Sequence, residues 1–166
     1  MASERFLSTV NKQITHEFFS AQLYVAMAAY FESENFPGFA NFFKMQAEEE
    51  RFHAMKFFHY VNEMDGRVEI EGLDKPDNNF SSALDVFEKA LAHEIKVTSL
   101  IYNLMDIAVE EKDYKSISFL NWFIDEQVEE EATMKGLVVR LQGISENPAA
   151  MYMLDNELAK RKFQAE

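Results

Sequence analysis

Four stretches of the chain place apolar residues in alternating steps of three and four, the spacing that keeps side chains on one face of a helix. The first carries Leu7, Val10, Ile14, Ala21, Tyr24, Ala28 and Phe31, with Glu17 in the middle of the seam. The second runs Phe39, Phe43, then Gln46, Glu50 and His53, then Phe57, Tyr60 and Met64. The third reads Leu84, Phe87, Leu91, Glu94, Thr98, Ile101, Met105 and Ala108, and the fourth Leu120, Phe123, Gln127, Glu130, Met134, Leu137 and Leu141. Each seam is apolar at both ends and acid, amide or imidazole at its centre. The punctuation fits helices over about 3–34, 37–65, 82–111 and 114–143. Asn35-Phe36-Pro37-Gly38 breaks the first from the second, Gly66 is expected to stop the second, and Ser81 or Ser82 can cap the third. Asn147-Pro148 opens a short fifth helix expected to run to about Phe163.

These elements predict an all-α fold in one domain spanning 1–166, a four-helix bundle with a short fifth helix. Helices of nearly thirty residues are roughly 40 Å long. The non-periodic stretch from Gly66 to Phe80 can extend to about 50 Å, enough to cross the whole bundle. The second and third helices are therefore expected to run parallel, with short turns making the other sequential pairs antiparallel.

Bundling the four faces gathers Glu17, Glu50, His53, Glu94, Gln127 and Glu130 at one level. The grouping has an internal repeat. Glu17 and Glu50 are 33 residues apart, as are Glu94 and Gln127, and an i, i+3 partner follows in each half, His53 or Glu130. Four carboxylates in an apolar core repel one another and lose hydration, so they require protonation or cations. The pattern matches a dinuclear carboxylate site, in which Glu50 is placed to bridge. Glu17 and His53 complete one metal position, and Glu94 and Glu130 the other. Oxygen-rich donors with one imidazole suit Fe(II) or Mn(II). Gln127 is a poorer ligand, which makes the two positions unequal and suits it to hydrogen-bond a metal-bound water or oxygen species.

Composition narrows the partners. A formal net charge of −13, from 29 acids and 16 bases, disfavours nucleic acid and anionic membranes and favours cations. With no cysteine, the chain forms no disulfide, thiolate zinc site or cysteine-ligated iron–sulfur cluster. The opening Met1-Ala2-Ser3-Glu4-Arg5 has no signal-peptide pattern, and the longest apolar run, Leu23 to Phe31, is too short to span a bilayer. A cytoplasmic protein is expected.

Glu49, Glu126 and Glu129 lie beside the seams and admit two readings, a solvated acidic face or a third metal position. Like charges at i, i+3 and i, i+4 over Asp125 to Glu131 repel unless cations gather there. Tyr24 and Trp122 lie within two turns of Glu17 and Gln127. They are read as core aromatics, or as groups that hydrogen-bond or donate electrons near the metals. His16, His59 and His93 fall off the seams.

Three stretches carry a family resemblance: Gln13-Ile14-Thr15-His16-Glu17, Gln46 through Lys56, and Asp125 through Glu131. On them the chain resembles bacterial and archaeal non-haem ferritins over essentially its whole length. The resemblance implies a ferroxidase centre with Glu17, Glu50 and His53 at one iron and Glu50, Glu94 and Glu130 at the other, with Gln127 alongside. It also implies a third iron position at Glu49, Glu126 and Glu129, shared with Glu130. Tyr24 and Trp122 match aromatics near the family's centre. The expected activity is iron storage with oxidation of Fe(II) by O2 or H2O2, in a homo-oligomeric shell of 24 subunits. No haem is expected, because Arg51 stands where the haem-binding relatives carry a methionine. Two alternatives are a peroxide-consuming mini-ferritin that protects DNA, and a helical scaffold whose buried acids serve only specificity.

Overall fold

The computed structural model describes residues 2–165. It contains α1 (Glu4–Ser33), α2 (Pro37–Glu63), α3 (Ala83–Glu110), α4 (Tyr114–Ile144) and α5 (Pro148–Leu158). Side chains satisfy the first amides of four of these helices. Ser3 accepts from the Phe6 amide, Ser82 from Asp85, Asp113 from Ser116 and Asn147 from Ala150.

Three helix ends share one device. Asn35, Asp65 and Lys112 have φ of 62°, 60° and 55°, and the following amides of Phe36, Gly66 and Asp113 bond back to the carbonyls of Phe31, Val61 and Ala108, each at 2.9 Å. This six-to-one closure satisfies the last carbonyls and reverses the chain. The left-handed residue ending α2 is thus Asp65, one position before the glycine expected to do so.

The connection over 64–82 crosses the bundle. Asn11, near the start of α1, bonds both the Arg67 carbonyl and the Glu69 amide at 3.0 Å. Phe80, at the other end of the connection, packs edge-on against Tyr30 near the end of α1, with ring centroids 5.6 Å apart. The third helix therefore begins where α1 ends and runs antiparallel to it, as the Arg5–Glu110 ion pair at 2.6 Å also requires. No strand forms among the described residues, and Arg67–Glu71 is irregular.

The core divides in two. One apolar cluster collects Phe31, Phe39, Phe43 and Phe87 with α5, and the other collects Phe6, Ile14, Phe57, Ile101 and Phe123. The polar middles of the four seams lie between them, buried. The seam readings hold with small rotations. Phe6 is fully buried where Leu7 is only partly so, and Val86, Ala90 and Leu104 are deeper than Leu84, Leu91 and Met105.

The end of α5 departs from expectation. The helix stops at Leu158 instead of continuing to about Phe163, because the Asn41 side-chain amide takes the carbonyls of Leu158, Ala159 and Arg161 at 3.1, 3.3 and 3.0 Å. Those carbonyls are spent on α2, and the chain continues along it. In return, α5 supplies the cap that α2 lacks: Asp155 accepts the Phe39 amide at 2.9 Å.

Candidate metal centre

Glu17 from α1, Glu50 and His53 from α2, Glu94 from α3, and Gln127 and Glu130 from α4 converge in the polar layer, all buried. Two triads have ligand atoms within 4.8 Å of one another: Glu17, Glu50 and His53, and Glu50, Glu94 and Glu130. Glu50 belongs to both. His53 Nδ1 lies 3.4 Å from Glu50 Oε2 and 3.9 Å from Glu17 Oε2. Each of the two triads is complete within one chain.

Neighbouring side chains aim these groups. Gln13, one turn before Glu17, donates to its Oε1 at 3.0 Å. Tyr24 donates to Glu94 Oε1. Gln127 Nε2 reaches Glu94 Oε2 at 3.1 Å, the Glu94 carbonyl at 3.2 Å and the Thr98 hydroxyl at 3.1 Å. Gln46 donates to Glu130 Oε2. In this geometry Gln127 hydrogen-bonds the Glu94 carboxylate. Gln13 and Gln46 support the ligands without belonging to the predicted set, although the sequence places each as an amide one turn from a seam acid on an apolar face.

The electrostatics describe a site short of positive charge. Burial pushes the Glu50 carboxyl well above its ordinary range, and the charges of Glu94 and Glu17 push it further. Burial also raises Glu130 well above that range, with Glu94 and Glu49 adding to the effect. Glu94 is raised by burial to about 7, held back by hydrogen bonds from Tyr24 and Gln127. Burial lowers His53, so its imidazole is neutral and has a lone pair to offer. Glu17 Oε2 and Gln46 Oε1 are buried with no hydrogen-bond partner among the described residues. Buried carboxyls that hold their protons above the ordinary range, a neutral imidazole and an orphaned carboxylate oxygen form a donor set that fits a pair of hard or borderline divalent ions, whose charge favours ionisation.

A polar cavity of about 170 Å³ opens beside His53, bounded by Glu49, Glu126, Glu129, Phe52 and Trp122. It brings together the three acids whose role the sequence left between a solvated face and a third position. Glu126 Oε1 lies 3.9 Å from His53 Nε2, and His53, Glu126 and Glu130 form a third close triad. Glu49 and Glu129 line the same cavity, with the Glu49 carboxylate drawn to Arg161 at 3.1 Å. Trp122 stands edge-on to His53, centroids 5.4 Å apart, beneath the Lys56 ammonium at 4.0 Å. Of the histidines set aside, His93 is mostly enclosed, within 2.7 Å of the Ser20 hydroxyl, and burial lowers it to about 4.

Known proteins share this chain's fold and much of its sequence. The model of the ferritin-like domain family matches residues 7–144. The bacterial non-heme ferritin of Staphylococcus aureus strain MRSA252 is 45% identical over 166 residues, all of both chains. That of Staphylococcus haemolyticus is 44% identical over the same span. A solved structure of an engineered closed form of the Archaeoglobus fulgidus ferritin superposes with a TM-score of 0.97 at 41% identity, covering 99% of this chain and 100% of that one.

Proposed function

Because the chain belongs to the ferritin family, we propose that it takes up Fe(II) as substrate, oxidises it in pairs and stores the ferric product as mineral. The observation that carries this reading is the shared Glu50. One carboxylate common to two triads holds two cations close together, and no arrangement of isolated buried acids needs that. Fe(II) gives up one electron, and dioxygen is reduced to the peroxide level by two electrons and two protons. A paired site therefore delivers both electrons without releasing a one-electron-reduced oxygen species. Hydrogen peroxide, which accepts two electrons to form water, fits the same pair.

Glu17, Glu50 and His53 hold one iron, and Glu50, Glu94 and Glu130 the other. Gln127, Tyr24, Gln13 and Gln46 orient those carboxylates. The second position has no imidazole and leans on Glu94, whose oxygens are engaged by Tyr24 and Gln127, so it is the more weakly held. A third iron is assigned to the cavity of Glu49, Glu126 and Glu129 with Glu130, on the path from the centre to the surface. Trp122, against His53, is suited to donate an electron to that centre. We read the whole chain as one ferritin-like unit of a 24-subunit shell. No described helix is long and apolar enough to cross a membrane, and we place the protein in the cytoplasm.

Both triads form within a single chain, which favours this reading over a mini-ferritin with ligands shared between subunits. Anaerobic Fe(II) titration of metal-free protein, then mixing with air, tests it. Two or three irons bound per chain, followed by rapid oxygen uptake and a soluble ferric product, are expected. Absence of stoichiometric binding, with oxidation no faster than in buffer, would leave the scaffold reading in its place.

A further inference from the structure

The segment following α5 does more than end the helix. Asn41 holds its first carbonyls against α2, and residues 159–165 then follow that helix toward the acidic cavity. Arg161 is the cation delivered there. Its guanidinium stacks over the Phe42 ring at 4.3 Å, donates to the Phe42 carbonyl at 3.3 Å and meets Glu49 Oε1 at 3.1 Å. Its side chain is 22% exposed and that of Glu49 19%, so solvent screens the contact only in part. Farther along, Phe163 packs edge-on to Phe52 with centroids 6.1 Å apart, and Gln164 forms part of the cavity wall. The same few residues therefore cover the cavity and neutralise one of its acids. The other nearby cation, Lys56, is engaged over Trp122.

We infer that Arg161 is a built-in competitor for the third iron, holding Glu49 until a metal displaces it and the segment of residues 159–165 lifts from the cavity. This rests on the third position assigned above. A bidentate-capable guanidinium and a divalent cation want the same carboxylate oxygens and repel each other when both are near them. The consequence is a threshold. The paired positions fill first, and the third fills only at higher iron, when opening the cavity to the surface is useful because product must leave. The closed segment meanwhile restricts access to His53 and Trp122.

Zn(II), which undergoes no oxidation, is the probe. Calorimetric titration of the assembled protein reads the third equivalent against the first two in the same experiment. Two charges about 5 Å apart in a water-rich setting repel enough to change affinity about tenfold for a divalent ion. Arg161→Gln is therefore expected to tighten the third equivalent about tenfold, and Arg161→Lys, which keeps the charge, to leave it near the parent value. A spin label on Gln164→Cys, a unique cysteine in this chain, is expected to gain mobility as the third equivalent binds and not before. Three equivalents with Arg161→Gln indifferent or weaker, or Gln and Lys variants equally altered, would reduce Arg161 to an anchor of the segment. Two equivalents in parent and variant alike, with Glu49→Gln also without effect, would remove the third position itself.

Discussion

The Tyr24 hydroxyl on α1 donates to Glu94 Oε1 on α3, and both side chains are fully buried. The bond favours the ionised carboxylate and opposes the burial that raises Glu94 to about 7. Tyr24→Phe leaves a buried acceptor without its donor, at a cost of about 1–3 kcal/mol. The loss is expected to be larger at pH 8, where Glu94 is ionised, than at pH 5, where it is protonated. Thermal unfolding of the metal-free variant at the two pH values measures it, and an equal loss at both would mean that the bond does not act on ionisation.

Sharing Glu50 between two triads makes its removal different in kind from that of its neighbours. Glu50→Ala is expected to abolish binding at both paired positions and slow initial Fe(II) oxidation by roughly a hundredfold or more. Glu17→Ala removes one ligand from one position and is expected to slow oxidation by about tenfold, while the position of Glu50, Glu94 and Glu130 still binds iron. Stopped-flow oxidation with metal counting separates the two, and identical behaviour would argue against a bridge.

Glu50, Glu94 and Glu130 all bind protons more tightly folded than unfolded. The folded metal-free protein therefore carries more protons than the unfolded chain from about pH 4.5 upward, and these groups make its stability fall as pH rises through that range to 7 and beyond. Their contribution is greatest below the unfolded pKa of about 4.5 and is lost through the folded values. Glu94→Gln is expected to flatten the decline in Tm between pH 5 and 8. Metal loading should flatten it too, releasing protons measurable with an indicator dye.

Gln127→Glu would replace a donor to Glu94 with a second carboxylate. The metal-free variant is expected to melt lower than the parent, and the second metal to bind more tightly, because a charged oxygen replaces a neutral amide. Titration and melting of the same preparation check both signs. A gain in metal-free stability would contradict the charge argument.

A Cβ on Gly38 would lie 1.7 Å from the Asp155 carbonyl oxygen, so α5 rests on α2 only because that side chain is missing. Gly38→Ala is expected to displace α5, with a cost of at least the roughly 1–3 kcal/mol of ordinary overpacking. Asp155→Ala removes only the cap on Phe39, at about 1 kcal/mol. Melting temperatures should therefore rank parent, Asp155→Ala, Gly38→Ala.

Much of the architecture was legible before the structure, because it is local. Seams of step three and four, Pro and Gly breaks, and a connection long enough to cross the bundle depend on residues near one another in the chain, and the crossover is present between Asn11 and Tyr30. The candidate site was legible for a related reason. Acids and an imidazole interrupt otherwise apolar faces at matching depth in each seam, and two of the three close triads are drawn from them alone, the third adding Glu126 from beside the seam. What tertiary structure decided are contacts between residues far apart in sequence. Asp155 caps α2 at Phe39, 116 residues earlier, and Asn41 ends α5 at Leu158 by taking its carbonyls. Arg161, which falls in no seam or motif, is carried to Glu49 by that early ending. Periodicity reports which face a side chain occupies, whereas capping, close backbone approach and charge pairing depend on which other face arrives opposite, and only the folded chain sets that.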